Sequence, residues 1–412
     1  MARIALEQAP PTALPRRFLL TAPLWGMVAG ALLLVHGGDA LASRWAPPTL
    51  ALVHALALGL LGNVMCGSLL QFLPAALGAR VSGGVRTGIA LHALLNLGAI
   101  ALVLGLRAAA PGLLLAGACL LALAFALLAA LVLPALWRAS GPRLVRAGIT
   151  QALLAALVAV ALGAGMVHGL QGRGLPLMPW ANVHAAFGLL GWVLVLVAAV
   201  GRVVMPMFQG TRAPPPRAQA AWMLAVAVLL LAALASGARD GELLRQAGAL
   251  LVAVFALAGL WLQARRMHAR NAWLLRFWCT GFAVLLGAAL ALAARAPALL
   301  VGALALAVAL PLLVVGMQLE IAAFVGWIEL QRRTPRGVRL PPVQQLLPDP
   351  DKCRVFVGLA LAALALLAAC AWPGDLRTRV AGALQMLAYA QLWWALRGVE
   401  RRSLAFLRES AA

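Results

Sequence analysis

The feature that most constrains this chain is a succession of apolar blocks that recurs from about residue 18 to about residue 397. Each block is about 20 residues long, which is enough for a helix to cross the roughly 30 Å hydrocarbon core of a bilayer. The runs lack the two-residue alternation of a membrane β-barrel, so every crossing is expected to be helical. Because 64% of the residues are hydrophobic and only 11% are charged, we expect one transmembrane domain over residues 1–412 and no sizeable soluble domain.

Hydropathy and charge together predict the topology. Of the 33 Lys and Arg residues, 24 fall on the side of the chain ends and 8 on the other, while Arg202 lies inside span 6. Positive loops stay in the cytoplasm, so both termini are predicted to be cytoplasmic, in a bacterial-type inner membrane. The basic residues are scattered over short loops, which favours the lipid bilayer rather than nucleic acid as partner despite the net charge of +22. The twelve predicted spans are at about 18–36, 49–78, 85–106, 112–137, 147–169, 181–208, 219–237, 243–264, 274–294, 297–326, 354–372 and 379–397.

Two of these spans carry the same phrase, which indicates an internal repeat. Span 2 reads His54-Ala-Leu-Ala-Leu-Gly-Leu-Leu-Gly, and span 6 reads His184-Ala-Ala-Phe-Gly-Leu-Leu-Gly, one residue shorter. Membrane folds often arise by duplication, which leaves recurrences of this kind. A second recurrence, in spans 2, 6 and 10, places a glycine four residues before a polar or sulfur-containing residue: Gly67 and Gln71, Gly201 and Met205, Gly316 and Glu320. This threefold recurrence predicts three four-helix units, at about 1–140, 141–272 and 273–412.

Three stretches carry a resemblance to a known family. They are His54 to Gly78, with Gly67-Ser-Leu-Leu-Gln71-Phe-Leu-Pro74; His184 to Pro216, with Gly201-Arg-Val-Val-Met-Pro-Met-Phe208; and Gly316 to Trp327, followed by Arg336-Gly-Val-Arg-Leu-Pro341. These stretches resemble the subunit I superfamily of haem-copper oxidases, and most closely its non-oxidase, subunit-I-like branch related to the NnrS membrane proteins. The resemblance implies twelve helices in three arcs, with haem held between helices near the periplasmic side.

The chain departs from the oxidases of that superfamily at the residues that reduce oxygen or nitric oxide. The family pattern has histidines in span 10 for two haems, a histidine pair in span 7 for copper, and a tyrosine near the copper. Spans 7 and 10 contain no histidine, and the only tyrosine, Tyr389, lies in span 12. We therefore expect that the chain has no haem-copper binuclear centre and that it reduces neither oxygen nor nitric oxide.

Among the six histidines, His54 and His184 are the candidates for binding haem b or a metal such as copper. Both lie near the outer start of spans that run in the same direction, so the topology places both imidazoles at one depth. An ionisable side chain inside a membrane usually faces the bundle interior, and imidazole is an ordinary ligand of haem iron, copper and zinc. His168, at the end of span 5, is the candidate for a third ligand. The alternative is that these imidazoles only bond backbone carbonyls and hold helices together.

The other histidines are interpreted as structural or peripheral. His92 in span 3, one turn before Asn96, is predicted to be a hydrogen-bonding residue, because it starts from the cytoplasmic side. His36 and His268 fall at a span end and in a loop.

Four polar residues form a predicted cluster at the inner ends of the repeated helices: Gln71, Arg202, Gln318 and Glu320. An Arg202–Glu320 ion pair is predicted to close the inner mouth of the bundle, because the repeat places both residues near one level. The alternative is two separate interfacial charges.

Three functions remain open on the sequence. The first is a haem-binding membrane protein in electron transfer or in the response to nitric oxide or respiratory stress, with respiratory or denitrification proteins as partners. The second is a factor that handles copper or haem during assembly of another enzyme. The third is a cofactor-free transporter in which Arg202 and Glu320 form the inner gate.

Overall fold

The computed structural model describes residues 10–79, 81–170, 172–237, 239, 241–267, 271–335 and 337–410. His268 and Arg336 lie outside these residues. The described chain is almost entirely helical. Its long helices are α1 (Ala13–His36), α2 (Pro47–Leu77), α3 (Gly84–Ala108), α4 (Pro111–Arg138), α5 (Arg143–Gly169), α6 (Leu177–Gln209), α7 (Pro216–Ala235), α8 (Gly241–Ala264), α9 (Ala272–Ala293), α10 (Ala298–Arg333), α11 (Asp349–Ala371) and α12 (Asp375–Glu409).

Eleven of the described helices, α1 to α11, are long and apolar enough to cross a membrane. The chain is therefore an all-helical, polytopic membrane protein, as its apolar blocks predict. The predicted twelfth span lies within α12, which is not among the eleven. The centre of α12 carries Gln385, Gln391, Trp393 and Trp394, which lower its mean hydropathy.

The two ends of the bundle are distinguished by which helix ends meet there. Arg16 at the start of α1 forms an ion pair with Glu329 near the end of α10, and its guanidinium lies 3.7 Å from Glu400 in α12. We call this the inner end. At the opposite, outer end, Asp375 at the start of α12 accepts a hydrogen bond from the backbone N–H of Gly38, just after α1.

Helices α2, α6 and α10 are interior elements of the bundle. In their most apolar stretches 72%, 56% and 56% of the residues are buried, against 33%, 33% and 28% in α7, α8 and α11. The latter three present most of their apolar surface outward, which inside a bilayer means toward lipid.

Each of the three interior helices contains a π-helical segment. The segments are Ala55–Gly62 in α2, Phe187–Leu194 in α6 and Ala303–Ala309 in α10. A π-turn holds an extra residue and widens the helix, and such turns are rare outside functional regions. The first segment starts directly after His54 and the second three residues after His184, so both repeated histidine phrases become π-helical.

A buried polar network ties α1, α2 and α3 together. The Asn63 and Asn96 side chains exchange two hydrogen bonds of 3.0 and 3.1 Å, and the indole N–H of Trp25 donates to Asn96 at 2.7 Å. Next to it, His92 Nε2 lies 3.0 Å from the hydroxyl of Thr21. This contact confirms the prediction that His92 is a hydrogen-bonding residue.

Helices α1 and α12 approach each other backbone to backbone at two glycines. A Cβ added to Gly382 would lie 2.5 Å from the carbonyl oxygen of Gly30 and 2.6 Å from the amide nitrogen of Leu34. One helical turn away along α1, the space beside Gly26 is filled by the ring of Tyr389. Small residues at a helix crossing allow this close contact, which gives membrane helices much of their packing energy.

Gly382→Ala is expected to lower the free energy of unfolding by about 1–3 kcal/mol, because the new methyl group meets backbone that cannot rotate away. Thermal unfolding of the purified protein in mild detergent measures this loss. Gly287→Ala in α9 is the matched control, since nothing lies within 4 Å of an added Cβ there. Equal stability of the two variants would contradict the packing described here.

Candidate functional site

The imidazoles of His54 and His184 lie side by side near the outer end of the bundle. Their ring centres are 6.2 Å apart and their planes differ by 28°. Each residue is the eighth of its helix, His54 in α2 and His184 in α6, and both helices begin at the outer end. The structure therefore brings together the two histidines that the repeated phrase singled out.

Backbone carbonyls hold both rings in one orientation. His54 Nδ1 lies 2.8 Å from the carbonyl oxygen of Leu50, and His184 Nδ1 lies 2.8 Å from that of Ala159. A carbonyl oxygen can only accept a hydrogen bond, so Nδ1 is the protonated nitrogen of each neutral ring. Each Nε2 is thereby left with a lone pair. Metal-binding histidines share this arrangement, in which the second nitrogen donates to a carbonyl or carboxylate. The same bonds also agree with the alternative in which the imidazoles only bond backbone carbonyls and hold helices together.

The two rings are close enough to reach one metal ion. Their centres are 6.2 Å apart, and each metal–nitrogen bond would be about 2.0 Å long. Within the described ranges, no group of three or more His, Cys, Asp or Glu residues is placed to hold a metal ion. A structural zinc ion takes four protein ligands, so a two-imidazole set does not fit it. A haem would bring most of the ligands of its iron itself, so two imidazoles, His54 and His184, would be enough to hold it.

The structure does not bring His168 to this pair. Its side chain is exposed at the end of α5. Ala159, which bonds His184, lies nine residues earlier on the same helix, a rise of about 13 Å. His36 is also elsewhere, accepting a 3.0 Å hydrogen bond from Arg107.

A positive charge lies at the outer end of the bundle, in the segment between α1 and α2. The guanidinium of Arg44 donates to Asn182, two residues before His184, at 2.8 Å and stacks on the ring of Trp45. Burial lowers the pKa of the Arg44 guanidinium, and the described residues provide no carboxylate partner for it. Asn182 also lines a cavity of about 180 Å³, together with Ser236 and Arg239.

The four polar residues predicted as an inner-end cluster have separate environments. Arg202 donates to the carbonyl oxygen of Pro214 at 2.6 Å and to Gln219 Oε1 at 2.9 Å. Gln318 Nε2 donates to the carbonyl oxygen of Leu19 at 2.7 Å. Gln318 Oε1 and both polar side-chain atoms of Gln71 are buried without a hydrogen-bond partner.

The predicted Arg202–Glu320 ion pair is wrong. Glu320 instead forms an ion pair with Lys352 at 2.6 Å. Two residues at the same depth can face different neighbours, because depth does not fix the direction in which a helix points its side chains. Glu320 points toward α11, and Arg202 points toward the start of α7.

Lys352 was not predicted from the sequence as a site residue. The predicted span 11 begins at about residue 354 and leaves Lys352 in the preceding loop, whereas α11 begins at Asp349 and includes it. One signal was present in the sequence: Lys352 is the only lysine, and the other 32 basic side chains are arginines.

Neither the protein-family models nor the curated proteins that were compared with this chain match it. The chemistry of the site therefore follows from its own residues.

Proposed function

We propose that this chain is an integral membrane protein that binds a b-type haem through His54 and His184. One observation carries the proposal. Two imidazoles from different helices meet with ring centres 6.2 Å apart, and each has its Nδ1–H tied to a carbonyl and its Nε2 free.

The donor set favours haem over a bare cation. Two neutral nitrogens are too few for zinc, whereas a haem would bring its own nitrogen ligands and would need only His54 and His184 from the protein. When bound, haem supplies one-electron transfer or a place for a small gas molecule to bind. The absence of histidine from α7 and α10 leaves no copper ligands of the oxidase type, so electron transfer or a response to nitric oxide or respiratory stress suits these residues better than reduction of oxygen.

The chain's own residues have distinct tasks in this proposal. The carbonyl groups of Leu50 and Ala159 orient the rings and make Nε2 a better electron donor. The apolar side chains of α2 and α6 exclude water, which affects the potential of a redox centre.

The number of spans, their orientation and their grouping into repeats are part of the same proposal. We infer twelve spans, both termini in the cytoplasm of a bacterial-type cell, and three four-helix units related to the subunit-I-like branch of the haem-copper oxidase superfamily. The recurrence of a π-helical segment in α2, α6 and α10 supports the three units. Respiratory or denitrification proteins are the partners that such a relationship suggests.

Optical spectroscopy of the purified protein tests the proposal. The oxidised and dithionite-reduced spectra are recorded in mild detergent, with iron and copper measured on the same sample. We expect a Soret band, sharp bands on reduction and about one iron per chain. Copper without haem would support a copper-handling function for the same two histidines. Full-length, folded protein with neither haem nor metal after supplementation with both would contradict the proposal.

A further inference from the structure

The part of the chain that forms α2 to α7 contains no carboxylate side chain. Between Asp39 and Asp240 the sequence has twelve arginines and no Asp or Glu. None of the ion pairs among the described residues includes one of these arginines, and all of them join residues of α1 or of the region from α8 to α12. The positive charge of the middle helices is therefore left for anions from outside the chain to balance.

Three of these arginines flank the turn between α4 and α5. Arg138 is the last residue of α4, Arg143 is the first residue of α5, and Arg146 follows one helical turn later. The guanidinium of Arg146 donates to the carbonyl oxygens of Leu136 and Ala139, at 3.2 and 2.9 Å, and so lies against the end of α4. The short turn therefore concentrates three positive charges in one place.

This turn lies at the inner end of the bundle, at the level where lipid headgroups are expected. A Cβ added to Gly141 in the turn would lie 2.5 Å from the side chain of Leu77, the last residue of α2. Trp137, one residue before Arg138, is 79% exposed. Tryptophan at the end of a membrane helix is typical of the interface between hydrocarbon and water. Arg138 and Arg143 are therefore within reach of lipid headgroups.

The three guanidinium groups have no counter-charge within the described chain. Arg138 and Arg143 are exposed, and their side chains form neither a hydrogen bond nor an ion pair with any described residue. Arg146 has only neutral carbonyl partners, and its buried Nε has none. Two exposed guanidinium groups are thus free to bind an anion, next to a third charge that the fold holds in place.

Exposed arginines elsewhere at the inner end are neutralised by the chain itself. Arg333 at the end of α10 is paired with Glu329 at 3.2 Å, and Arg354 in α11 is paired with Asp351. These two arginine side chains are 57% and 64% exposed, so exposure alone does not leave an arginine unpaired. The contrast indicates that the α4–α5 turn, unlike the ends of α10 and α11, takes its counter-charge from the membrane.

We propose that the α4–α5 turn binds the headgroup of an anionic phospholipid, with Arg138 and Arg143 as the groups that contact its phosphate. A guanidinium can donate two parallel hydrogen bonds to phosphate oxygens, and each arginine near the surface adds to the attraction for anionic lipid. Arg146 supplies a fixed positive charge beside them. The site is at the opposite end of the bundle from His54 and His184 and is independent of the proposed function.

Native mass spectrometry of the full chain tests the proposal, because it counts the lipid molecules bound to each protein molecule. The protein is stripped of lipid in mild detergent and mixed with phosphatidylglycerol or with phosphatidylcholine of the same acyl chains. The first lipid is anionic and the second has no net charge. We expect the apparent affinity for phosphatidylglycerol to be at least about fivefold higher, and added salt to reduce this preference.

Two double variants locate the bound lipid. Arg138→Gln/Arg143→Gln should lower the apparent affinity for phosphatidylglycerol at least about fivefold and leave that for phosphatidylcholine unchanged. Arg333→Gln/Arg354→Gln is the matched control, because it removes two exposed arginines from the same end that already have carboxylate partners, and it should have little effect.

Three results would overturn the proposal. The first is equal affinity of the wild-type chain for the two lipids, and the second is an equal loss of phosphatidylglycerol binding in the two double variants. The third is displacement of phosphatidylglycerol by an equal concentration of inorganic phosphate, which would assign the site to free phosphate instead of lipid. None of these results depends on the haem content of the sample.

Discussion

Replacing His184 by alanine is expected to lower the haem bound per chain at least about tenfold, since loss of even an outer-shell partner of a metal ligand costs about 10- to 100-fold in affinity. His54→Ala should have an effect of similar size, because the two rings come from different helices and meet at one place. Haem per chain is measured from the reduced spectrum and from iron content, on fractions of uniform size that unfold cooperatively.

His168→Ala is the matched control for these variants. The exposed side chain at position 168 lies far along α5 from the carbonyl that holds His184, so haem content should match that of the wild type. Full occupancy in both the His54 and the His184 variant would exclude these residues as ligands. Loss of haem in the His168 variant as well would indicate a third ligand that the structure does not bring to the pair.

Lys352→Met is expected to lower the free energy of unfolding by about 3–5 kcal/mol, because it leaves the Glu320 carboxylate buried without its partner. Glu320→Gln should also lower it, because it leaves the Lys352 ammonium buried without its counter-charge. The double variant Glu320→Gln/Lys352→Met removes both charges and should recover most of the loss, since buried ion pairs can be replaced by uncharged residues at little net cost.

Thermal unfolding in mild detergent, read from tryptophan fluorescence, measures all three variants. Arg397→Met serves as the control, because the Arg397–Glu400 pair is partly exposed and should contribute about 1 kcal/mol or less. Strictly additive losses in the double variant would contradict a direct interaction between Lys352 and Glu320.

The repeated histidine phrase shows how much of the candidate site could be predicted from the sequence. Its position at the start of two spans predicted that His54 and His184 lie at one depth, and the structure places their rings together. The groups that orient the rings were not predictable in the same way. Leu50 is one turn before His54, but the partner of His184 is Ala159 on another helix, which only the packing of α5 against α6 supplies.

The sequence by itself determined that the chain crosses a membrane as a set of helices. In lipid, a single run of about 20 apolar residues can pair all of its backbone N–H and C=O groups only by forming a helix. Tertiary structure alone decided which side chains meet. Hydropathy predicts the depth of a residue in the membrane, but the rotation of each helix about its own axis depends on how the helix packs against its neighbours. For that reason Glu320 meets Lys352 rather than Arg202, and His168 stays apart from the pair that His54 and His184 form.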